Sequence, residues 1–281
     1  MQRGKAFTLV ELLVVVGIVS LLIAIFMPAL TRARTAARQI RAAAGLRELL
    51  AGYTAYHIDH RGALPFGYPP PTVNGVTLEV TAPSGHVFGS PIAERYPWRL
   101  VPYVKDVWSI LHNHDACPPA PAATDSATEA FDKTYMLSLN PSFGINAVFL
   151  GGQYGPLFRG FVGPSMDRPN VGKHVAFRAS EIRRPTQQIV FTESISKNYP
   201  FVEPDTGLHY VTPPRAGGLR WTVTNGRIDV LTSVVIGVPQ GRYGRSTIVG
   251  FFDGHVELLA PADLLDMRLW APRATGPDYD F

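Results

Sequence analysis

From Leu12 to Leu30 the chain reads LLVVVGIVSLLIAIFMPAL, nineteen residues with Ser20 the only hydroxyl and no charge. At ~1.5 Å per residue such a helix reaches roughly 28 Å, close to the ~30 Å hydrocarbon layer of a bilayer. The pattern predicts a membrane span over about residues 9–30. A buried core helix rarely carries so long an unbroken apolar run. A secretory signal peptide has a shorter apolar region, about 7–15 residues, with a small-residue cleavage site after it. Here arginine-rich helical sequence follows instead.

Beyond the apolar run the period changes. Leu46, Leu49, Leu50 and Tyr53 recur at i, i+3, i+4 and i+7, and Tyr56 continues the face. Ala36, Ala37 and Ala42 to Ala44 favour helix. The helix is expected to stop near His60-Arg61-Gly62, with Pro65 beyond. From residue 7 to about 60 it would be roughly 80 Å long. Its apolar stripe is the expected packing face for the rest of the protein. Arg34, Arg38 and Arg41 form a second stripe, suited to lipid headgroups or to a subunit interface.

After residue 63 the pattern becomes short strands and turns, as 25 Pro and 26 Gly suggest. Two hairpins are predicted. Arg220 to Thr224 and Arg227 to Leu231 flank Asn225-Gly226; Thr247 to Phe252 and His255 to Leu259 flank Asp253-Gly254. Asn-Gly and Asp-Gly suit type I′ turns, which need positive φ at both central residues. Ile189 to Thr192, Ser233 to Val238 and Val76 to Val80 are further strand candidates, and Ala262 to Trp270 reads as a short closing helix. Residues 112–134 and 151–173 read as loops or insertions. The expected fold is α+β, an antiparallel sheet head packed on the long N-terminal helix. Both strands flanking Asp253-Gly254 are expected inside that sheet.

Charge divides the chain. Seven of its 26 basic residues and one of its 22 acids precede Glu48, so residues 48–281 carry about −2. That argues against nucleic acid as a partner, since phosphate binding needs a basic face. Cys117 is the sole cysteine, so no intrachain disulfide forms. His112, His114, Asp115 and Cys117 are metal-ligand types, but no second Cys completes a zinc set, and His57 or His60 would have to arrive by folding. No G-x-S-x-G elbow or Walker loop is present. We therefore expect no metal, cofactor or catalytic residue.

Glu11 is an ionisable group at the edge of the span, a functional hypothesis by default; the alternative is a carboxylate that reaches the headgroups. The residues around it, Arg3-Gly4-Lys5-Ala6-Phe7-Thr8-Leu9-Val10-Glu11-Leu12-Leu13, resemble the signal of type IV prepilins and type II secretion pseudopilins. In that family a membrane aspartyl peptidase, the prepilin peptidase, cuts before Phe and methylates the new amine. The resemblance implies a leader over 1–6, cleavage between Ala6 and Phe7, and N-methylation of Phe7. Ala6 stands where Gly is usual. Glu11 then becomes the fifth mature residue and Pro28 the twenty-second, both in register. It further implies a long helix over 7–62, a head over 63–281 and no enzymatic role. The implied partners are sister pilin or pseudopilin subunits, membrane lipid, an inner-membrane platform protein and an assembly ATPase. The implied location is the bacterial inner membrane, N terminus cytoplasmic and head periplasmic. Counting Arg32, Arg34, Arg38 and Arg41 against Arg3 and Lys5 favours the opposite orientation.

The segment Arg245 to Glu257, with Asp253-Gly254-His255, is similar to the C-terminal signature of the H-X9-DG group of pilin-like proteins, although Tyr243 stands where its His would be. Pro97-Trp98-Arg99-Leu100-Val101-Pro102-Tyr103 is similar to another element of that group. A second reading is a membrane-anchored binding module or enzyme that uses the same leader. A cluster of titratable residues in a deep pocket would favour it.

Overall fold

The structure is a computed structural model that describes residues 8–73, 75–82, 84–112, 119–152, 174–197, 206–215, 219–230 and 235–279. Its contacts divide the chain into two units, residues 1–41 and 42–281. Helix α1, Leu9–Asp59, contributes to both.

In the first unit the stretch from Leu12 to Leu30 is apolar on every side, and its large side chains are exposed. In water so much exposed hydrocarbon would be strongly unfavourable; in a bilayer it is the ordinary lipid-facing surface. Length and composition alone qualify this helix to cross a membrane. Pro28 lies inside it and lacks an N–H, so one i→i−4 bond is missing there. Arg32, Arg34, Arg38 and Arg41 follow on exposed positions.

The second unit is α+β. Its part of α1 buries Ala42, Leu46, Leu49, Leu50 and Tyr53, the face that the periodicity marks. Burying each large apolar side chain contributes about 1.5–3 kcal/mol. The partner is a four-stranded antiparallel sheet of order β12-β11-β6-β5. Its strands are β5 (Phe143–Ile145), β6 (Ile189–Glu193), β11 (Thr247–Phe251) and β12 (Val256–Leu259). Gly250 of β11 allows the close approach: a Cβ there would lie 2.8 Å from Leu50 Cδ1 and 3.1 Å from Leu46 Cγ. Tyr53 meets Phe191 edge-to-face at 5.7 Å.

Two small hairpins precede the sheet, β1 (Thr72–Val73) with β2 (Val76–Thr77), and β3 (Val80–Thr81) with β4 (Val87–Phe88). The candidate strand Val76 to Val80 is thus split between two pairs. Short helices α2 (Pro97–Leu100) and α3 (Val107–Leu111) follow. β7 (Ile195–Lys197) pairs with β10 (Ile236–Val238), and β8 (Trp221–Thr224) with β9 (Arg227–Val230). The β8–β9 turn has the expected positive φ at both Asn225 (53°) and Gly226 (73°).

Two sequence expectations need correction. Within 112–134, expected to be a loop or insertion, α4 begins at Ala127 and runs to Leu139. A capping box starts it: Ser126 Oγ accepts from Glu129 N–H, and Glu129 accepts from Ser126 N–H at 3.0 Å. The expected closing helix is instead two 3-10 turns, Asp263–Leu265 and Met267–Leu269. Asp266 breaks it with an extended ψ of 110°, and its carboxylate accepts from Arg268 N–H. These turns are tied to the ends of the sheet strands by side-chain hydrogen bonds. Asn146 Nδ2 donates to the carbonyls of Ile189 and Trp270, and Gln188 Nε2 also donates to Trp270. Residues 153–173 of the second expected loop lie outside the described residues.

Candidate functional site

Ala6 and Phe7 lie outside the described residues, which begin at Thr8. From there the geometry is specific. Thr8 N–H and Thr8 Oγ–H both donate to Glu11 Oε2, at 2.9 and 2.8 Å, and Glu11 N–H donates back to Thr8 Oγ1 at 3.2 Å. This is a capping box, T-x-x-E, at the entrance of an apolar helix. It satisfies donors that have no intrahelical partner and places negative charge at the positive end of the helix dipole. The spacing Thr8-x-x-Glu11 is itself a capping-box pattern in the sequence. Both hydrogen bonds to the carboxylate fall on Oε2, and a carboxylate has about four acceptor sites, so capacity remains for a further cation.

The hairpin at Asp253-Gly254-His255 differs from the expected turn. Gly254 has φ 94°, but Asp253 has no positive φ, so the turn is not type I′. Gly254 N–H donates to Phe251 O, and Phe251 N–H to His255 O. The loop therefore has three residues, Phe252 to Gly254, with glycine at the left-handed position. Asp253 causes the change: its Oδ1 accepts from His255 N–H at 3.2 Å and lies 2.6 Å from His255 Nδ1. The His255 ring stacks on Phe251 at 4.3 Å. These contacts hold the turn, and the nearest further carboxylate, Glu257, is 4.0 Å from His255 Nε2. β11 is internal and fully buried, as expected. β12 is not internal: it is the edge strand, and Leu258 is 47% exposed. Tyr243 packs, partly buried, against the main core.

Gly254 has open space where a Cβ would lie, so its constraint is the backbone alone. Gly254→Val is expected to destabilise the head by about 1–3 kcal/mol, because a β-branched residue is strained at positive φ. Urea unfolding followed by tryptophan fluorescence measures it. A variant as stable as wild type would contradict the turn's role.

Sequence reasoning missed a buried polar cluster, because nothing local marks these residues as interior. Glu94, Arg95 and His209 are each at most 5% exposed. Tyr68 hydrogen-bonds the Glu94 carboxylate, and burial, then that bond, raise the Tyr68 phenol. Arg95 donates to Tyr135 O and Ser138 Oγ and lies over the Tyr135 ring, 4.1 Å from its centroid. His209 lies 5.7 Å from Tyr68, ring to ring, and neither of its nitrogens has a partner among the described residues. A cavity of about 680 Å³ lies elsewhere, between β12 and the C-terminal turns, lined by Phe251, Glu257, Leu259, Asp263 and Leu265 among others. Cluster and cavity do not coincide. His112 stacks on Trp108, while His57 stacks on Phe252 and His60 on Tyr56. Among the described residues no group of three or more His, Cys, Asp or Glu could hold a metal. His114, Asp115 and Cys117 lie outside them.

Compared with known proteins, the chain matches the prokaryotic N-terminal methylation motif over residues 1–27. No curated protein and no solved structure matches. The matched stretch includes Ala6, Phe7 and the Thr8–Glu11 box. The chain thus carries a prepilin-type signal of the pilins and pseudopilins, followed by an apolar helix and an α+β head. The motif implies processing by prepilin peptidase and assembly with other pilins, and it points to a structural subunit rather than an enzyme.

Proposed function

We propose that this protein is a structural subunit of a type IV pilus-like or type II secretion pseudopilus assembly. Prepilin peptidase removes residues 1–6, cutting between Ala6 and Phe7, and methylates Phe7. The mature helix, residues 7–62, stays in the inner membrane with its N terminus toward the cytoplasm, and the head, 63–281, faces the periplasm. During assembly a platform protein and a cytoplasmic ATPase draw the subunit into a helical bundle. There Glu11 pairs with the Phe7 amine of a neighbour, so two costly intramembrane charges neutralise each other and fix the axial register. Pro28 adjusts the helix within that bundle.

The observation that carries this reading is the methylation motif at 1–27, with Glu11 in register at the start of an exposed apolar helix. Mass spectrometry of the protein from native membranes tests it. The expected N-terminal peptide begins at Phe7 and is one methyl group (about 14 Da) heavier than unmodified. An intact Met1, or a cut near Ala29, would overturn it.

A further inference from the structure

β12 forms one edge of the head's four-stranded sheet. β12 pairs with β11 in the register Thr247↔Leu259, Ile248↔Leu258, Val249↔Glu257 and Gly250↔Val256. Phe251 N–H donates to His255 O, so the pairs that exchange hydrogen bonds are those of His255, Glu257 and Leu259. On the other side of β11, Ile248 N–H points toward β6 and donates to Glu193, which agrees with this phase. The N–H and C=O groups of Val256 and Leu258 therefore point outward. Among the described residues no hydrogen bond reaches them.

Edge strands are ordinarily blunted by charged side chains, lysine above all, by proline, a bulge or a covering segment. β12 reads Val-Glu-Leu-Leu, with neither lysine nor proline, and its Leu258 is exposed. Beside it lies the 680 Å³ cavity, with Phe251, Leu259 and Leu265 on its apolar wall. The rim is acidic. Arg268 forks onto Asp266 and cancels that charge. Glu257, 57% exposed at its side chain, and Asp263 remain.

We infer that this edge binds an extended, basic segment of a partner protein by strand addition. Two outward peptide units offer two donors and two acceptors, enough for a segment of three to five residues. Basic side chains on the cavity face of that segment meet Glu257 and Asp263, and the apolar side chains that alternate with them lie on the other face, opposite Val256 and beside exposed Leu258. Main-chain bonds supply the affinity and the pocket with its rim the selectivity.

The test uses the full-length protein in detergent micelles and a fluorescein-labelled peptide, acetyl-Arg-Val-Arg-Val-Arg-amide. Saturable binding by anisotropy is expected, with slowed amide exchange at Val256 and Leu258. N-methylation of the peptide's valines blocks one edge and should weaken binding at least tenfold, as should a Glu-Val-Glu-Val-Glu peptide. Leu258→Pro removes an outward N–H and the exposed leucine side chain, at a position where an edge strand tolerates proline, and should also weaken binding at least tenfold while β11–β12 pairing persists. Glu257→Lys, which leaves the backbone unaltered, should weaken it similarly and keeps the test decisive if the proline variant fails to fold. No binding at millimolar peptide, or binding indifferent to N-methylation and to both substitutions, would overturn the inference.

Discussion

Glu11→Ala is expected to leave the protein in the membrane yet reduce its incorporation into filaments by more than about a hundredfold. The substitution makes the span no less apolar, so insertion has no reason to fail. What it removes is the proposed partner of a neighbour's Phe7 amine. Stripping one member from a buried ion pair costs about 3–5 kcal/mol, because the other charge is left uncompensated. Each ~1.4 kcal/mol is a factor of ten in association. The Thr8–Glu11 box complicates the reading, since the same carboxylate caps the helix within its own chain. Thr8→Val separates the two roles. It removes the hydroxyl half of the box and costs about 1 kcal/mol of capping, while Glu11 keeps its charge for the amine. Incorporation of Thr8→Val should therefore fall no more than about fivefold. Immunoblots of sheared filaments against the membrane fraction, beside wild type, measure both. Glu11→Ala at wild-type abundance in filaments would end the case for intersubunit pairing.

The features legible in the sequence were those written locally. The span needs only composition over nineteen residues, and the packing face Leu46-Leu49-Leu50-Tyr53 needs only a period. Asn225-Gly226 specifies its turn because two adjacent residues set both φ angles. Asp253-Gly254 carries the same dipeptide logic and still forms another turn, since the Asp253 carboxylate finds His255 N–H two residues on. α4 was missed although Ser126 and Glu129 spell a capping box; the Pro- and Ala-rich sequence before it masked the start. The edge position of β12 was illegible, because apolar content marks a strand but not its place in a sheet. Buried polar groups were the least legible of all. Glu193 finds its donor, Ile248 N–H, 55 residues away, and no spacing rule announces such a pair.

Glu193 and His209 are expected to tilt the head's stability with pH in opposite directions, and removing either should expose the other. Glu193 is 1% exposed at the end of β6, and its Oε2 accepts from Ile248 N–H at 2.9 Å. Burial pushes its carboxyl up from 4.5 to about 7, against the downward pull of that donor and of Arg242. The folded head thus keeps a proton that the unfolded chain releases from about pH 4.5 upward. Its contribution is full below that point and is lost as pH rises through about 7, by about 3 kcal/mol in total. His209 behaves inversely. Burial, then the charge of Arg95, hold its imidazole well below the ordinary 6.5. The unfolded chain takes up a proton below that value and the folded head refuses it, so this contribution is lost as pH falls. Below about pH 6.5, where the unfolded chain protonates His209 and the folded head does not, the two slopes oppose one another. Wild type should therefore vary little from these two groups in that window. Relative to wild type, Glu193→Gln should gain about 3 kcal/mol on going from pH 4.5 to 8, and its own stability should climb up to about pH 6.5. His209→Phe keeps a ring of similar volume and should leave the falling limb, from about pH 4.5 to 7. Urea unfolding of the detergent-solubilised chain at one-unit intervals reads both curves. A Glu193→Gln curve parallel to wild type from pH 4.5 to 8 would show that the buried carboxyl does not hold its proton.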